Sequence, residues 1–224
     1  MSLINALPQY TTWNVAKFNN PNLNKEHKYP KYSGLESFQV PGLTLPPNYR
    51  LVKSGYEYAV LDDTAQLITY FARLSTANRK LTSYLPDGLK TVSQINVWRA
   101  PRDPKMDGVV SKMFLYYLDQ HGVIVTDSEQ TVKGKEMWQR MTEGALDKGD
   151  FLYYADFNQP ATELVPIKTE EQLYEYFSPV PAKSAWGQNA NNSKKLLFIS
   201  KKSLKTTIKS SVIITAILEV ITKK

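Results

Sequence analysis

Cysteine is absent from this 224-residue chain, which excludes disulfides, thiolate metal sites and cysteine nucleophiles. Histidine is almost absent: His27 and His121 stand far apart. Two isolated imidazoles do not make a zinc enzyme, although carboxylates alone suffice for magnesium. We therefore expect no metal. No apolar run reaches the length of a membrane-spanning helix, and the opening MSLINALPQY shows no basic stretch backed by an apolar one. These absences predict a soluble protein of the cytoplasm.

Acidic residues are nearly missing from the last part of the chain. From Lys183 onward there are nine Lys and one acid, Glu219. The net charge of +7 thus belongs to this segment, and residues 1–182 are close to neutral. Such a basic segment is either a solvated tail or a weak contact for a polyanion; it is not a charged groove across the fold. Its final stretch, SSVIITAILEVITKK, is apolar and β-branched. It is too short to span a bilayer and would promote aggregation if exposed. We expect it to dock on the fold or to serve an oligomer interface.

What is present suffices for one large domain. The hydrophobic fraction is 42%, and the aromatics include 14 Tyr, so parts of the core carry a hydroxyl as well as a ring. Residues 1–49 are dense in turn signals, as in NNPNLNKEHKYPKYSG. Large apolar residues such as Trp13, Phe18, Leu35, Phe38 and Val40 recur there. The segment reads as an extended stretch draped over a core, with at most one short helix or strand.

Residues 50–100 read as strands. GYEYAVLDDTAQLITYFARL places two β-prone runs around Asp62, Asp63 and Thr64, which suits a hairpin. TVSQINVWRA alternates between two mixed faces. Val109, Val110, Met113, Phe114, Tyr117 and Leu118 then recur at helical spacing, and Gly122 is placed to stop that helix in the left-handed conformation. GVIVTD reads as a strand buried on both faces. A second helix carries Gly134, Met137, Trp138 and Met141 on one side, capped from Ser128 or Thr131. GDFLYYADFN is a strand, KTEEQLYEYF a short helix with Leu173, Tyr176 and Phe177 on one face, and KKLLFISK a final strand.

The order over residues 91–127 resembles the central motif of the GCN5-related N-acetyltransferase (GNAT) superfamily. The likeness extends over roughly residues 50–160 and is one of topology and pattern. In that family a strand leads into a loop of the form Gln/Arg-x-x-Gly-x-Gly/Ala that opens a helix. Amides of the loop bind the pyrophosphate of acetyl-CoA, and the gap between two parallel strands admits the pantetheine arm. Here Val97, Trp98 and Arg99 end the strand, and Lys105, Met106, Asp107, Gly108, Val109 and Val110 occupy the loop. The resemblance implies an α+β fold with a GNAT-like central mixed sheet flanked by helices over residues 50–200, between the N-terminal segment and a 201–224 tail. Some bacteriophage proteins of this size are diverged members, so the resemblance is compatible with a phage source and a host cytoplasm.

The loop departs from the pattern. Lys105 stands at the first position, and Val110 replaces the small residue that lets backbone approach phosphate. Asp107 competes for the free amides of the helix start. Arg102, Lys105 and Lys112 supply positive charge nearby. The loop therefore either holds phosphate through side chains or only turns a corner.

Acyl transfer needs a base near the attacking amine and, in this family, often a Tyr to protonate the thiolate. The strand that would carry the base offers Gln94 and Asn96 but no carboxylate. Glu57 on an earlier strand is the substitute, and Tyr153 and Tyr154 are the candidate acids. Each also has a structural reading, as a solvent-facing strand carboxylate or as core aromatics. Asp127, at the carboxyl edge of a parallel strand, is placed to hold a substrate amine or to cap the next helix. Three functions follow: an acetyl-CoA-dependent N-acyltransferase of unknown substrate, a catalytically inactive fold of the same kind acting on a protein partner, and a nucleic-acid binder resting only on the Lys-rich tail.

Overall fold

The computed structural model describes residues 15–76, 84–85, 93–100, 103–106, 108–126, 132–158, 163–177 and 195–206. Arg102, Asp107, Asp127, the capping candidates Ser128 and Thr131, and the apolar stretch at 207–224 lie outside them. Three short helices open the described chain: α1 (Val15–Asn19), α2 (Pro21–His27) and α3 (Tyr29–Ser33). Four strands follow, β1 (Tyr49–Ser54), β2 (Glu57–Asp62), β3 (Leu67–Thr76) and β4 (Ser93–Arg99). Then come α4 (Val109–His121), β5 (Val123–Val125), α5 (Val132–Asp147), β6 (Phe151–Asp156), β7 (Val165–Ile167), α6 (Glu170–Phe177) and β8 (Lys195–Ser200).

All eight strands join one open mixed sheet in the order β1-β2-β3-β4-β5-β8-β6-β7. Among the described residues the only parallel neighbours are β4 and β5, and β8 enters between β5 and β6. The protein is thus α+β, with helices flanking a mixed sheet. Among the described residues no helix is long and apolar enough to cross a membrane.

Alternation along the strands divides the core. One face carries Leu51, Tyr58, Val60, Tyr70, Ala72, Ile95, Ile124, Leu197 and Ile199, in a single cluster covered by Met113, Phe114 and Tyr117 of α4, Trp138 of α5 and Leu173, Tyr176 and Phe177 of α6. The opposite face is split. Under β1–β4, Val52, Ala59, Leu61, Phe71 and Trp98 pack against Phe18 and Tyr32 of the N-terminal helices. Under the other strands, Val123, Val125, Tyr153, Ala155, Leu196 and Phe198 pack with Tyr84, Leu164 and Leu204. The boundary between the two clusters falls between β4 and β5.

Residues 15–33 correct the expectation of an extended N-terminal segment: they are helical. The dense turn signals are helix starts. Asn20 Oδ1 accepts from the amides of Asn22 and Leu23 at 3.0 and 3.2 Å, and Pro21 occupies the first turn of α2. Pro30 does the same in α3. Proline costs nothing there, because that amide has no helical partner. Helices of five to seven residues are too short to display a period. Two further strands were not individually legible: β1, with only two buried residues, and the three-residue β7 at a sheet edge.

One side chain ties these helices to the sheet. Asn24 is 2% exposed. Its Nδ2 donates to Ile68 O at 2.9 Å and to Phe18 O at 3.3 Å, and its Oδ1 accepts from Ile68 N at 3.0 Å. Asn24 therefore satisfies both backbone groups of Ile68. Trp98 adds a second tie, donating from Nε1 to Asn19 Oδ1 at 3.0 Å while its ring lies 4.9 Å from that of Phe18. Replacing Asn24 by Leu keeps the volume and strands two buried backbone groups. We predict a loss of about 3 kcal/mol, read by urea denaturation with an unchanged slope; a loss below about 1 kcal/mol contradicts this role.

Candidate functional site

The most distinctive backbone feature lies where β4 and β5 meet. They pair only at Ser93↔Ile124 and Gln94↔Val125. β4 continues to Arg99 against β3, while β5 ends and the chain turns to β8: Thr126 N donates to Leu197 O at 3.0 Å, and Leu197 N donates to Thr126 Oγ1 at 3.0 Å. Beyond Gln94 no described strand pairs with β4 on the β5 side. The amide of Ala100 donates to Thr69 O, so the two-residue alternation of an antiparallel ladder turns the backbone groups of Val97 away from β3, into this opening.

Polar side chains hold the strands at the point where they part. Gln94 and Thr126 are both buried, and Gln94 Nε2 donates to Thr126 O at 3.1 Å. Asn96, two residues on, has a buried Nδ2 with no hydrogen-bond partner among the described residues. Ligands in open α/β sheets sit at the carboxyl ends of parallel strands, and this opening is at such an end.

The loop that follows crosses to α4 through a short 3-10 turn, Pro104–Met106. Gly108 is the N-cap of α4, with φ 78° and no side chain to accept from the first amides. An L side chain rarely takes that φ, which explains a glycine at this point. The cap is thus Gly108; Asp107, expected to compete for the free amides of the helix start, lies outside the described residues. Val109 is buried, and Val110 packs against the core of the helical face. Lys105 is exposed, with Nζ 5.2 Å from the centre of the Tyr49 ring. Arg99 Nη2 donates to Asp103 O at 3.2 Å. Trp98 faces the N-terminal helices, and Val97 packs against the helical-face core.

The structure places the candidate catalytic residues apart. Glu57 sits on β2 opposite Arg73, with two strands between it and β5. Its Oε2 accepts from Lys31 Nζ at 2.8 Å and Tyr32 Oη at 2.6 Å, and its Oε1 accepts from Arg73 Nε and Nη2 at 3.0 and 2.6 Å. Burial pushes its pKa up, but the hydrogen bonds from Lys31, Tyr32 and Arg73 outweigh it, and the net shift is down. A carboxylate so held accepts protons poorly at neutral pH.

Tyr153 and Tyr154 are consecutive on β6 and face opposite sides of the sheet. Tyr153 Oη accepts from Leu204 N at 3.0 Å and lies 3.3 Å from Ser203 Oγ, so it holds residues beyond β8 against the sheet. Tyr154 stacks on Tyr176 with ring centres 4.2 Å apart, and burial raises its pKa. The pKa of His121, the last residue of α4, is pushed down by burial and by Lys53. Among the described residues no group of three or more His, Asp and Glu is arranged to hold a metal ion.

In the sequence Gln94 stands out only as a position without a carboxylate. Its pairing with Thr126 was signalled by one cue, a polar residue closing an otherwise apolar strand. Tyr70 and Tyr117 gave no cue: their hydroxyls lie 3.2 Å apart inside the core, and burial raises both pKa values. No protein-family model, curated protein or solved structure matches the chain.

The Glu57 cluster sets a pH dependence. Its folded pKa lies below the ordinary value of 4.5, so its stabilisation is full above that value and is lost as pH falls through the folded one. We predict that Glu57→Gln costs about 1–2 kcal/mol at pH 7, a range kept low because Lys31 is half-exposed. The gap from wild type closes on acidification below the ordinary carboxylate range, as followed by denaturant titration. A gap that persists at pH 2 contradicts the assignment.

Proposed function

We propose that the chain is a diverged GNAT-type protein that takes acetyl-CoA, or a related acyl-CoA, into the opening between β4 and β5. One observation carries the reading: the two parallel strands part after Gln94 and Val125, at the sheet end from which α4 starts. The backbone of Val97 faces that opening, and the pantetheine arm contains amides able to pair with such an edge. The start of α4 suits a pyrophosphate. Its N-cap, Gly108, has no side chain, so first-turn amides are available to an anion. Lys105 and Lys112 are exposed beside it and add positive charge. In this reading the acyl carbon exchanges its bond to sulfur for one to an amine nitrogen, and the amine proton passes to the leaving thiolate.

A second reading is favoured by a specific observation. Among the described residues the point of parting is lined by Gln94, Asn96 and Thr126, none of which is a proton acceptor at neutral pH. Glu57, Tyr153 and Tyr154 are engaged elsewhere. A chain that binds the cofactor without transferring its acyl group, and acts on a protein partner, fits this equally well.

Calorimetric titration with acetyl-CoA tests the cofactor. The proposal predicts saturable binding with Kd below about 1 mM. Gly108→Asp adds a competing carboxylate where no atom lies within 4 Å of the new Cβ, and Asp tolerates a positive φ better than most residues. It should weaken binding at least about tenfold while leaving the chain folded. No binding at millimolar ligand contradicts the proposal. A single-turnover assay with labelled acetyl-CoA then separates the readings, because only an enzyme loses the acetyl group to an amine.

A further inference from the structure

A cavity of about 150 Å3 opens on the helical face of the sheet, between α4 and α5. No residue of β4 lines it, so it is separate from the opening beside that strand. Its buried lining is hydrocarbon: Phe114 and Leu118 of α4, Ile124 of β5, Ala145 of α5 and Ile199 of β8. The Phe114 ring packs edge to face on the buried Trp138, with ring centres 4.9 Å apart, which favours one orientation of that wall.

Gly144 keeps this space open. It stands inside α5, where glycine is the poorest helix former after proline. Its φ is not in the left-handed range, and a Cβ built on it meets no atom within 4 Å. Neither backbone geometry nor close packing therefore requires glycine at this position. The missing side chain instead leaves room in the cavity that Gly144 lines.

Ser111, Arg140 and Lys148 also line the cavity and are exposed, so they form its mouth. Among the described residues neither cation has an ion-pair or hydrogen-bond partner. The one acid in the lining, Asp150, is already paired, with Oδ1 3.3 Å from Lys201 Nζ. The mouth is thus net positive above a hydrocarbon interior.

We propose that the cavity binds a small amphiphilic carboxylate. The hydrocarbon body lies against Phe114, Leu118 and Ile199, and the carboxylate stays at the mouth beside Arg140 and Lys148. The volume sets the size: a hydrocarbon-lined cavity of about 150 Å3 accepts a benzene ring, or about six carbons. The two cations set the head group, because each attracts a carboxylate and repels an ammonium. The site is independent of the acyl-CoA reading.

The test is calorimetry on the full chain at low ionic strength, with hexanoate, butanoate, hexanol and hexylamine as probes. The proposal predicts saturable binding of hexanoate at a single site. Hexanol, without the charge, should bind about fivefold or more weaker, and hexylamine weaker still. Butanoate should bind about tenfold weaker than hexanoate, because two methylenes are lost from the apolar body. Gly144→Leu should fill the cavity, abolish binding and leave the thermal midpoint equal or higher. The double variant Arg140→Gln, Lys148→Gln changes only exposed side chains. It should make hexanoate bind no better than hexanol, and it decides the matter if Gly144→Leu fails to fold. The proposal is overturned if hexanoate does not saturate, if hexylamine binds as tightly as hexanoate, or if Gly144→Leu binds as wild type. If sedimentation shows a dimeric wild type and a monomeric Gly144→Leu, the occupant is a second copy of the chain, and the proposal is again overturned.

Discussion

The short register between β4 and β5 is the constraint around which the sheet is organised. Two residue pairs hold the parallel strands, and Gln94 spans the point of separation by donating to the carbonyl of Thr126. β5 does not lengthen toward β4 there, because the Thr126 amide donates to Leu197 O and its hydroxyl oxygen accepts from Leu197 N. At its other end β5 begins after the left-handed Gly122 that closes α4. β8 therefore becomes the second partner of β5, and the underside of the sheet divides into two clusters instead of one.

Each half of that underside has its own fastening. Below β1–β4, Asn24 and the Trp98–Asn19 hydrogen bond hold the N-terminal helices, and Glu57 gathers Lys31, Tyr32 and Arg73 at the rim. Below β5, β8 and β6, Tyr153 holds the segment that follows β8. The upper face is continuous, and its tyrosines are internal: burial raises the pKa of Tyr70 and Tyr117, so both stay neutral and can share a hydrogen bond. With a continuous upper cluster and a divided lower one, the carboxyl end of β4 is where, among the described residues, strand backbone has a partner strand on one side only.

The elements legible in the sequence are those whose burial pattern repeats over at least two periods. The α4 stripe from Val109 to Leu118 and the β2–β3 hairpin are examples, and GVIVTD announced a strand buried on both faces. The N-terminal helices were not legible, because Asn20 and Pro21 act as start signals and the helices end before a period accumulates. The candidate site was legible in its backbone and not in its side chains. Gly108 before a helical stripe pointed to a helix start. Nothing local in the sequence distinguishes a Glu57 free on a strand from one held by Lys31, Tyr32 and Arg73, since the first two are more than 20 residues away.

The open backbone edge of β4 beyond Gln94 is measured directly by amide hydrogen exchange at Val97. In the free protein this amide should exchange faster than that of Trp98, which the alternation directs toward β3. Saturating acetyl-CoA should slow Val97 and leave Trp98 unchanged. A Val97 amide already as protected as Trp98 without ligand, or one that acetyl-CoA leaves unaltered while it binds, would contradict the account.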